Sequence, residues 1–311
     1  MLWLFGDTFI ATSAAHMRRE SRMVRNSVAI QQGYDPSTAK IRFYWNSHDQ
    51  APGAFFPDDG NEWYWPGHGI LVGGRLLIFL QKIHRAEGSL GFAAFAWTAV
   101  AIDNPDEPPD RWHLHWLAVP PNEFKVVIGS ASVLRSGDYV LAYGAAEPGP
   151  NHDVFLVRWP VAVVARGDLS GPEWWDSASR QWIPQRGLRH RPGPVFTQGQ
   201  TEFTVHHDSR RNRFVEIQTR GFGGADLAFR SAAELTGPWS ALQGFHRPAE
   251  AARPGVLIYA GRAHPELKGA DLVVTYATNS DWERCLDDPG LYFPRFLKLT
   301  IAQDSSGRPG R

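Results

Sequence analysis

Residues 69–80, with the sequence GILVGGRLLIFL, give the strongest indication of the fold. Two short apolar segments flank the tight-turn signal Gly73-Gly74, a pattern typical of a β-hairpin. A third apolar segment, FAAFAWTAVAI, begins at Phe92, and a fourth, RWHLHW, begins at Arg111. Together the four segments predict one antiparallel sheet of four strands, which we label A to D in chain order.

The same four-segment pattern recurs along the chain. Strand A recurs as ASVL from Ala131, EFTV from Glu202 and LIYA from Leu257. Strands B and C follow each time, with YVLAY, RFVEI and LVVTY as strand B and DVFLVRW, ADLAFRS and PRFLKLTIA as strand C. Strand D is less regular and is predicted at Trp174 to Ile183 and at GPWSAL from Gly237. A long repeat in a chain almost without helical periodicity predicts an all-β propeller.

The residues before the first complete unit form a partial one. LWLFGDT matches strand B, NSVAIQQG from Asn26 matches strand C, and IRFYW from Ile41 matches strand D. Counting this unit predicts a five-bladed propeller whose blade 1 lacks its innermost strand. We expect the chain to begin inside that blade, with a strand before Met1 missing; the alternative is a blade that is naturally short or is closed by another segment.

We predict a single propeller domain over residues 1–302, followed by a disordered tail at 303–311. The predicted blades cover about 1–50, 62–120, 125–185, 198–247 and 255–302.

Composition limits the partners and cofactors. The chain has 32 basic and 32 acidic residues, so its formal net charge is zero, and it has no basic run. We therefore expect no nucleic-acid partner, and the lack of a long apolar stretch or a signal peptide argues against a membrane partner. The single Cys285 cannot form an internal disulfide, and no Cys/His spacing indicates zinc. We predict a monomer that needs no cofactor and no metal.

Long loops on a propeller place functional residues at the mouth of the central channel. Three carboxylates, Asp7, Glu62 and Glu202, lie in the B-to-C or D-to-A positions that reach this mouth. One protonated and one ionised carboxyl group are what glycoside hydrolysis requires. Trp63 and Trp65 beside Glu62 offer flat apolar faces on which sugar rings can stack.

These three acids are the predicted catalytic residues. The predicted substrate-binding residues, all at the same mouth, are Arg25, Asn26, Trp63, Trp65, His68, Ser130, Arg220 and Asn279; His152 and His264 also lie there. Structural alternatives stay open for several of them. Asp7 could cap a turn, Glu62 could be a solvated surface acid, and His68 could line the channel without contacting a ligand.

Several motifs together carry a family resemblance. They are WLFGDTF from Trp3, RNSVA from Arg25, WYWPGHG from Trp63, TEF from Thr201 and LTGPW from Leu235. The chain resembles a family of bacterial five-bladed propeller proteins long described as of unknown function, some of which are endo-D-arabinanases. More distantly it is similar to the arabinanase and β-xylosidase propellers. The resemblance covers nearly the whole chain.

The resemblance implies a glycoside hydrolase that acts on a furanose-containing polysaccharide such as arabinan, with Asp7 and Glu202 as the carried-over acids and Glu62 third. The related propellers often carry one catalytic Asp on the first innermost strand, which this chain lacks, and some of them hold Ca²⁺ at the channel. An extracellular or periplasmic location is expected for such a protein. Two other functions stay open: a carbohydrate-binding propeller without catalysis, and a scaffold that binds protein.

Overall fold

Five antiparallel sheets follow one another along the chain and are arranged as the blades of a β-propeller. The computed structural model describes residues 1–88, 91–147, 152–221, 226–267 and 272–299. The predicted all-β, five-bladed fold is confirmed. Within the described residues, no helix is long and apolar enough to cross a bilayer. The predicted tail at 303–311 lies outside the described residues.

Blade 1 has three strands, in the sheet order β1-β4-β5, and they correspond to the predicted strands B, C and D. The segment contains β1 (Leu2–Phe5), β2 (Thr8–Ala11), β3 (Ser21–Val24), β4 (Ser27–Gln32), β5 (Lys40–Tyr44), β6 (Asn46–His48) and β7 (Ala51–Gly53). Strands β2 and β3 form a hairpin inside the long B-to-C loop, and a short 3₁₀ helix, Arg18–Glu20, lies between them. As predicted, the described part of the chain supplies no innermost strand to this blade.

Blades 2 and 3 contain all four predicted strands. Blade 2 is formed by β8 (Glu62–Val72), β9 (Arg75–Arg85), β10 (Phe92–Ile102) and β11 (Leu114–Trp116). Blade 3 is formed by β12 (Val126–Ser136), β13 (Tyr139–Ala146), β14 (His152–Pro160), β15 (Glu173–Asp176) and β16 (Gln181–Pro184). The outer strand predicted over Trp174 to Ile183 is in fact a two-strand hairpin, β15 and β16. The helix α1 (Val161–Val164) and the 3₁₀ helices Pro109–Arg111 and Gln185–Gly187 lie in loops.

Blades 4 and 5 complete the ring. Strand β17 (Phe196–Gly199) pairs with β14, and blade 4 follows as β18 (Thr204–Asp208), β19 (Arg213–Thr219), β20 (Leu227–Ala232) and β21 (Gln243–His246). Its outer strand therefore begins at Gln243, not in the predicted GPWSAL segment from Gly237. Blade 5 is formed by β22 (Leu257–His264), β23 (Leu272–Asn279) and β24 (Arg295–Leu299). The helix α2 (Trp282–Asp287) lies in its long B-to-C loop, and a 3₁₀ helix, Ala249–Ala252, precedes the blade.

Each blade is covered on both faces, so apolar side chains alternate between its two neighbours. In β9, Leu77 and Phe79 pack toward blade 3, whereas Ile78 and Leu80 pack toward blade 1. Four buried apolar clusters fill the interfaces between blades 1 and 2, 2 and 3, 3 and 4, and 4 and 5. Among the described residues, no such cluster lies between blades 5 and 1.

The ring closes between blades 5 and 1 through partly exposed contacts. Trp3 on β1 lies 4.8 Å from the His264 ring and 5.8 Å from Phe296 on β24, measured between ring centroids. In the B-to-C loops of the two blades, Arg19 binds Asp287 and Glu283 of α2 at 2.6 and 3.0 Å. Polar contacts thus contribute much of this closure.

Close approach of neighbouring inner strands requires glycine at defined points. Strands β8, β12 and β22 each carry a register shift, located between Pro66 and Gly69, between Ile128 and Val133, and between Tyr259 and Arg262. A Cβ on Gly67 would lie 2.2 Å from the carbonyl oxygen of Gly129 in the next blade. These irregularities turn side chains of the inner strands toward the channel.

Candidate active site

Asp7 follows β1 directly, at the end of the first strand of the chain. Its side chain is only 13% exposed. The indole Nε1 of Trp65 donates a hydrogen bond to Oδ1 at 3.0 Å, and Arg25 lies 3.6 Å from Oδ2. Burial raises the pKa of Asp7 above its ordinary value, although Trp65 and Arg25 act in the opposite direction. Burial therefore favours the protonated form of Asp7 more than water does.

Arg25 connects Asp7 to the aromatic segment of blade 2. Its guanidinium lies 4.4 Å from the centroid of the Trp63 ring, in a cation–π contact. Trp63 and Trp65 are 6.4 Å apart in an edge-to-face arrangement, so the structure brings these three predicted residues together with Asp7. Glu62, on the same strand, forms an ion pair with Lys82 at 2.8 Å.

Glu202 lies just before β18, at the inner edge of blade 4. It is bound by Arg262 of blade 5 at 2.8 Å, and its side chain is 34% exposed. Arg262 stands at the register shift of β22, which directs its side chain to this position. The ion pair therefore joins two neighbouring blades at the channel.

Two tyrosines of blade 5 respond to the charges of these acids. Burial raises the pKa of Tyr259, and the negative charges of Glu202 and Asp7 raise it further. Burial likewise raises the pKa of Tyr292, with contributions from Tyr259 and Asp7. The charges of Asp7 and Glu202 thus both act on the Tyr259 phenol. Tyr292 has a backbone φ of 52°, a conformation uncommon for a residue other than glycine.

Two histidines, His68 and His264, lie near Arg262. Burial and the charge of Arg262 lower the pKa of His68 to about 4 and that of His264 to about 3. A channel Ca²⁺ would need several oxygen ligands, whereas these groups are two imidazoles and a cation. Within the described residues, no group of three or more His, Cys, Asp or Glu side chains is placed to hold a metal ion. The residues at this position therefore do not fit Ca²⁺.

Another largely buried carboxylate, Glu147, lies where blade 3 meets blade 4. The Thr201 hydroxyl donates to Glu147 and lies 3.3 Å from Nε2 of His152. Burial raises the pKa of Glu147, while His152 and Thr201 lower it. His152 was among the residues predicted at the mouth, whereas Glu147 was not.

The other predicted residues are bound within their own surroundings. Asn26 is fully buried, and its side-chain amide forms hydrogen bonds with backbone atoms of Phe56 and Tyr64. It therefore holds the D-to-A loop in place. Ser130 is buried and donates to the Val127 carbonyl. Both positions are at odds with direct substrate contact. Asn279 accepts hydrogen bonds from the Ser280 amide and the Cys285 thiol.

Arg220 is exposed at the end of β19. It lines a separate cleft of about 310 Å³ together with Gln198, Gly221 and Leu242. Its predicted role in substrate binding stays a prediction.

Four functional candidates were not predicted from the sequence: Glu147, Tyr259, Arg262 and Tyr292. The signal for Arg262 and Tyr259 was available, because both stand in strand A of blade 5, the strand that lines the channel. Their orientation depends on the register shift at Ala260 and Gly261, which apolar periodicity does not reveal.

The chain is a five-bladed β-propeller in which Asp7 contacts Trp65 and Arg25, and Glu202 pairs with Arg262 of the next blade. The chain belongs to the family described as a domain of unknown function (DUF5005), whose profile matches residues 1–300. No curated protein matches the sequence.

Solved structures share the fold at low sequence identity. A candidate hydrolase from Bacteroides ovatus ATCC 8483 has a TM-score of 0.73 at 13% identity, covering 96% of this chain and 81% of its own. An α-L-arabinofuranosidase from Lactobacillus brevis has a TM-score of 0.49 at 13% identity, with 91% of both chains covered. An α-L-arabinanase from Cellvibrio cellulosa has a TM-score of 0.47 at 10% identity, covering 98% of this chain and 94% of its own.

Proposed function

We propose that the protein is a glycoside hydrolase that cleaves a furanose-containing polysaccharide of the arabinan type at the channel mouth. The observation that carries this proposal is the largely buried carboxyl group of Asp7, which lies 3.0 Å from Trp65 and 3.6 Å from Arg25. Glu202, whose charge acts together with that of Asp7 on the pKa of Tyr259, supplies the second carboxyl group. Two carboxyl groups around one cleft are the minimum that glycosidic hydrolysis requires.

The two carboxyl groups differ in surroundings, which suits them to different roles. Asp7 is buried and its pKa is raised, so it would give its proton to the glycosidic oxygen as the carbon–oxygen bond breaks. Glu202 is held by Arg262 and is more exposed, so it would take a proton from the attacking water or attack the anomeric carbon itself. Either route ends with water added across the broken bond.

The substrate class comes from the surrounding side chains and from the motif resemblance. Trp63 and Trp65 give apolar surface with polar edges beside Asp7, which suits stacking on sugar rings. The WLFGDTF and WYWPGHG motifs resemble those of the bacterial five-bladed propeller family, some members of which are endo-D-arabinanases, and the likeness to furanosidase propellers is more distant. Arabinan is therefore the first substrate to test, with both D- and L-arabinan included.

The test measures reducing ends released from D-arabinan, L-arabinan and xylan by the intact protein. We expect release from an arabinan, and a loss of about 10²–10⁴-fold in Asp7→Asn and in Glu202→Gln. Asp103→Asn serves as control, because Asp103 pairs with Arg75 at 2.8 Å beside the A-to-B turn, on the opposite face. Full activity in both mouth variants would refute the assignment.

The second candidate is a carbohydrate-binding propeller without catalysis. One observation favours it: each acid is already engaged by an arginine, Asp7 by Arg25 and Glu202 by Arg262. This candidate predicts that arabinan binds without any release of reducing ends, and that Glu202→Gln leaves the binding constant unchanged.

A further inference from the structure

A second cluster of aromatic side chains lies on the opposite face of the propeller, between blades 3 and 4. It borders a cleft of about 260 Å³ whose walls include Tyr139, Arg158, Trp175, Trp182, Phe214 and Glu234. Tyr139 begins β13 directly after the A-to-B turn of blade 3, whereas the mouth lies at the B-to-C end of the strands. The cleft is therefore separate from the candidate active site.

Strand register explains how blade 3 forms one wall of this cleft. Leu141 pairs with Arg158, and Arg158 pairs with Glu173 on the next strand. Trp175 lies two residues after Glu173, on the same face, and pairs with Trp182. These side chains therefore form a continuous surface facing blade 4. Phe214 and Glu234 of blade 4 stand opposite.

Arg158 is fixed at the centre of this wall. Its guanidinium carbon lies 4.1 Å from the centroid of the Tyr139 ring and 4.3 Å from that of the Trp182 ring. Its Nε donates to Glu173 at 2.7 Å. Stacking between two rings together with a charge-assisted hydrogen bond leaves the planar group little freedom.

The fixed guanidinium keeps donors free. Within the part of the chain that the structure describes, its two terminal nitrogens have no hydrogen-bond partner, and Glu234 has no ion-pair partner. Adjacent hydroxyl groups of a sugar can bind a planar guanidinium and a carboxylate at the same time, while the C–H face of the ring packs on an aromatic side chain. A phosphate or another anion would be repelled by Glu173 and Glu234, so the cleft favours a neutral ligand rich in hydroxyl groups.

We propose that this cleft is a second carbohydrate-binding site, which holds a short stretch of neutral glycan away from the channel mouth. Arg158 and Glu234 bind hydroxyl groups, and Trp182 and Phe214 contact the sugar ring. The inference stands on the chemistry of the cleft and does not require the mouth to be catalytic. If the mouth is catalytic, the cleft would bind a neighbouring part of a polysaccharide.

Isothermal titration of the full chain with arabinotriose, xylotriose and cellotriose tests the proposal. Glu202→Gln serves as the background, because it would stop hydrolysis if the mouth is catalytic and because Glu202 does not border the cleft. We expect Arg158→Met to weaken binding at one site about tenfold or more, since its side chain keeps its length but loses all donors. Because Glu234 is exposed, the Glu234→Ala variant should fold, and we expect it to weaken binding at the same site.

Arg75→Met is the matched control. Arg75 also has a carboxylate partner, Asp103 at 2.8 Å, and starts strand B of blade 2 on the same face, but it does not border this cleft. Two sites in the background protein and one in Arg158→Met would support both the cleft and a sugar-binding mouth. One site that disappears in Arg158→Met would support the cleft alone. Unchanged binding of all three sugars in folded Arg158→Met and Glu234→Ala proteins, or no binding at all, would overturn the proposal.

Discussion

The indole Nε1 of Trp65 donates a hydrogen bond to Oδ1 of Asp7 at 3.0 Å, so the inner strand of blade 2 holds the first acid of the chain. Fifty-eight residues separate the two in sequence. This hydrogen bond joins the aromatic segment around Trp65 to the largely buried carboxyl group of Asp7. The bond lowers the pKa of Asp7, whereas burial raises it.

Replacing Trp65 by Phe should raise the pKa of Asp7 further, because the variant loses a donor that stabilises the ionised carboxylate. If Asp7 is the proton donor, the alkaline limb of the pH profile of kcat/KM moves to higher pH. Trp63→Phe is the matched control, since the buried Nε1 of Trp63 has no hydrogen-bond partner among the described residues. Identical profiles for the two variants would count against Asp7 as the acid.

Acid should destabilise the protein through His264. Its pKa is lowered from 6.5 to about 3, so between these values the unfolded chain binds a proton that the folded chain does not. Stability therefore falls as the pH drops through this window, by about 2–3 kcal/mol at pH 4.5. Urea unfolding at pH 7 and pH 4.5 measures the effect.

His264→Gln should remove much of that loss, because Gln does not titrate and can still bond Thr275, which lies 2.7 Å from Nε2 of His264. An unchanged difference between the two pH values in this variant would show that other groups cause the loss.

Gly67→Ala should destabilise the fold by about 1–3 kcal/mol, since the new Cβ would lie 2.2 Å from the Gly129 carbonyl oxygen. It should also displace His68 and lower any activity at the mouth. Gly171→Ala is the control, because no atom lies within 4 Å of its added Cβ. Thermal unfolding of both variants measures the contrast, and equal melting temperatures would contradict the close approach of these strands.

The interface between blades 5 and 1 should be the weakest in the ring. Phe79 is fully buried between blades 2 and 3, whereas Phe296 at the closing interface is 48% exposed. We expect Phe79→Ala to cost about 3–5 kcal/mol and Phe296→Ala less than about 1 kcal/mol. Hydrogen exchange should be faster in β1 and β24 than in β9 and β13; uniform protection would argue against this difference.

The blade pattern could be predicted from sequence because alternating apolar residues and tight turns are local signals. The repeat located β9 and β10 at their first residues and predicted a blade 1 without an inner strand, as the described residues have it. Strand D was misplaced in blade 4, where the GPWSAL segment is apolar but precedes the true strand. The hairpin β2–β3 and the helix α2 lie in loops whose sequences carry no strong periodicity.

The candidate site was predicted less completely, because it depends on contacts between blades. Asp7, Arg25 and Trp65 were chosen by loop position, and the structure brings them together. Arg262 reaches Glu202 only because a register shift turns its side chain. Asn26 was predicted at the mouth, but its side-chain amide donates to the carbonyl oxygens of Phe56 and Tyr64. These partners lie 30 and 38 residues further along the chain, so the sequence around Asn26 does not reveal them.

The most direct test of the central claim compares kcat on arabinan for Asp7→Asn, Glu202→Gln and the double variant. If both groups act in one transition state, the double variant should lose about as much as the worse single variant, because residues that act as a unit are strongly non-additive. We expect single losses of about 10²–10⁴-fold and a double loss of similar size. Wild-type activity in either single variant, or losses that multiply in the double variant, would contradict the account.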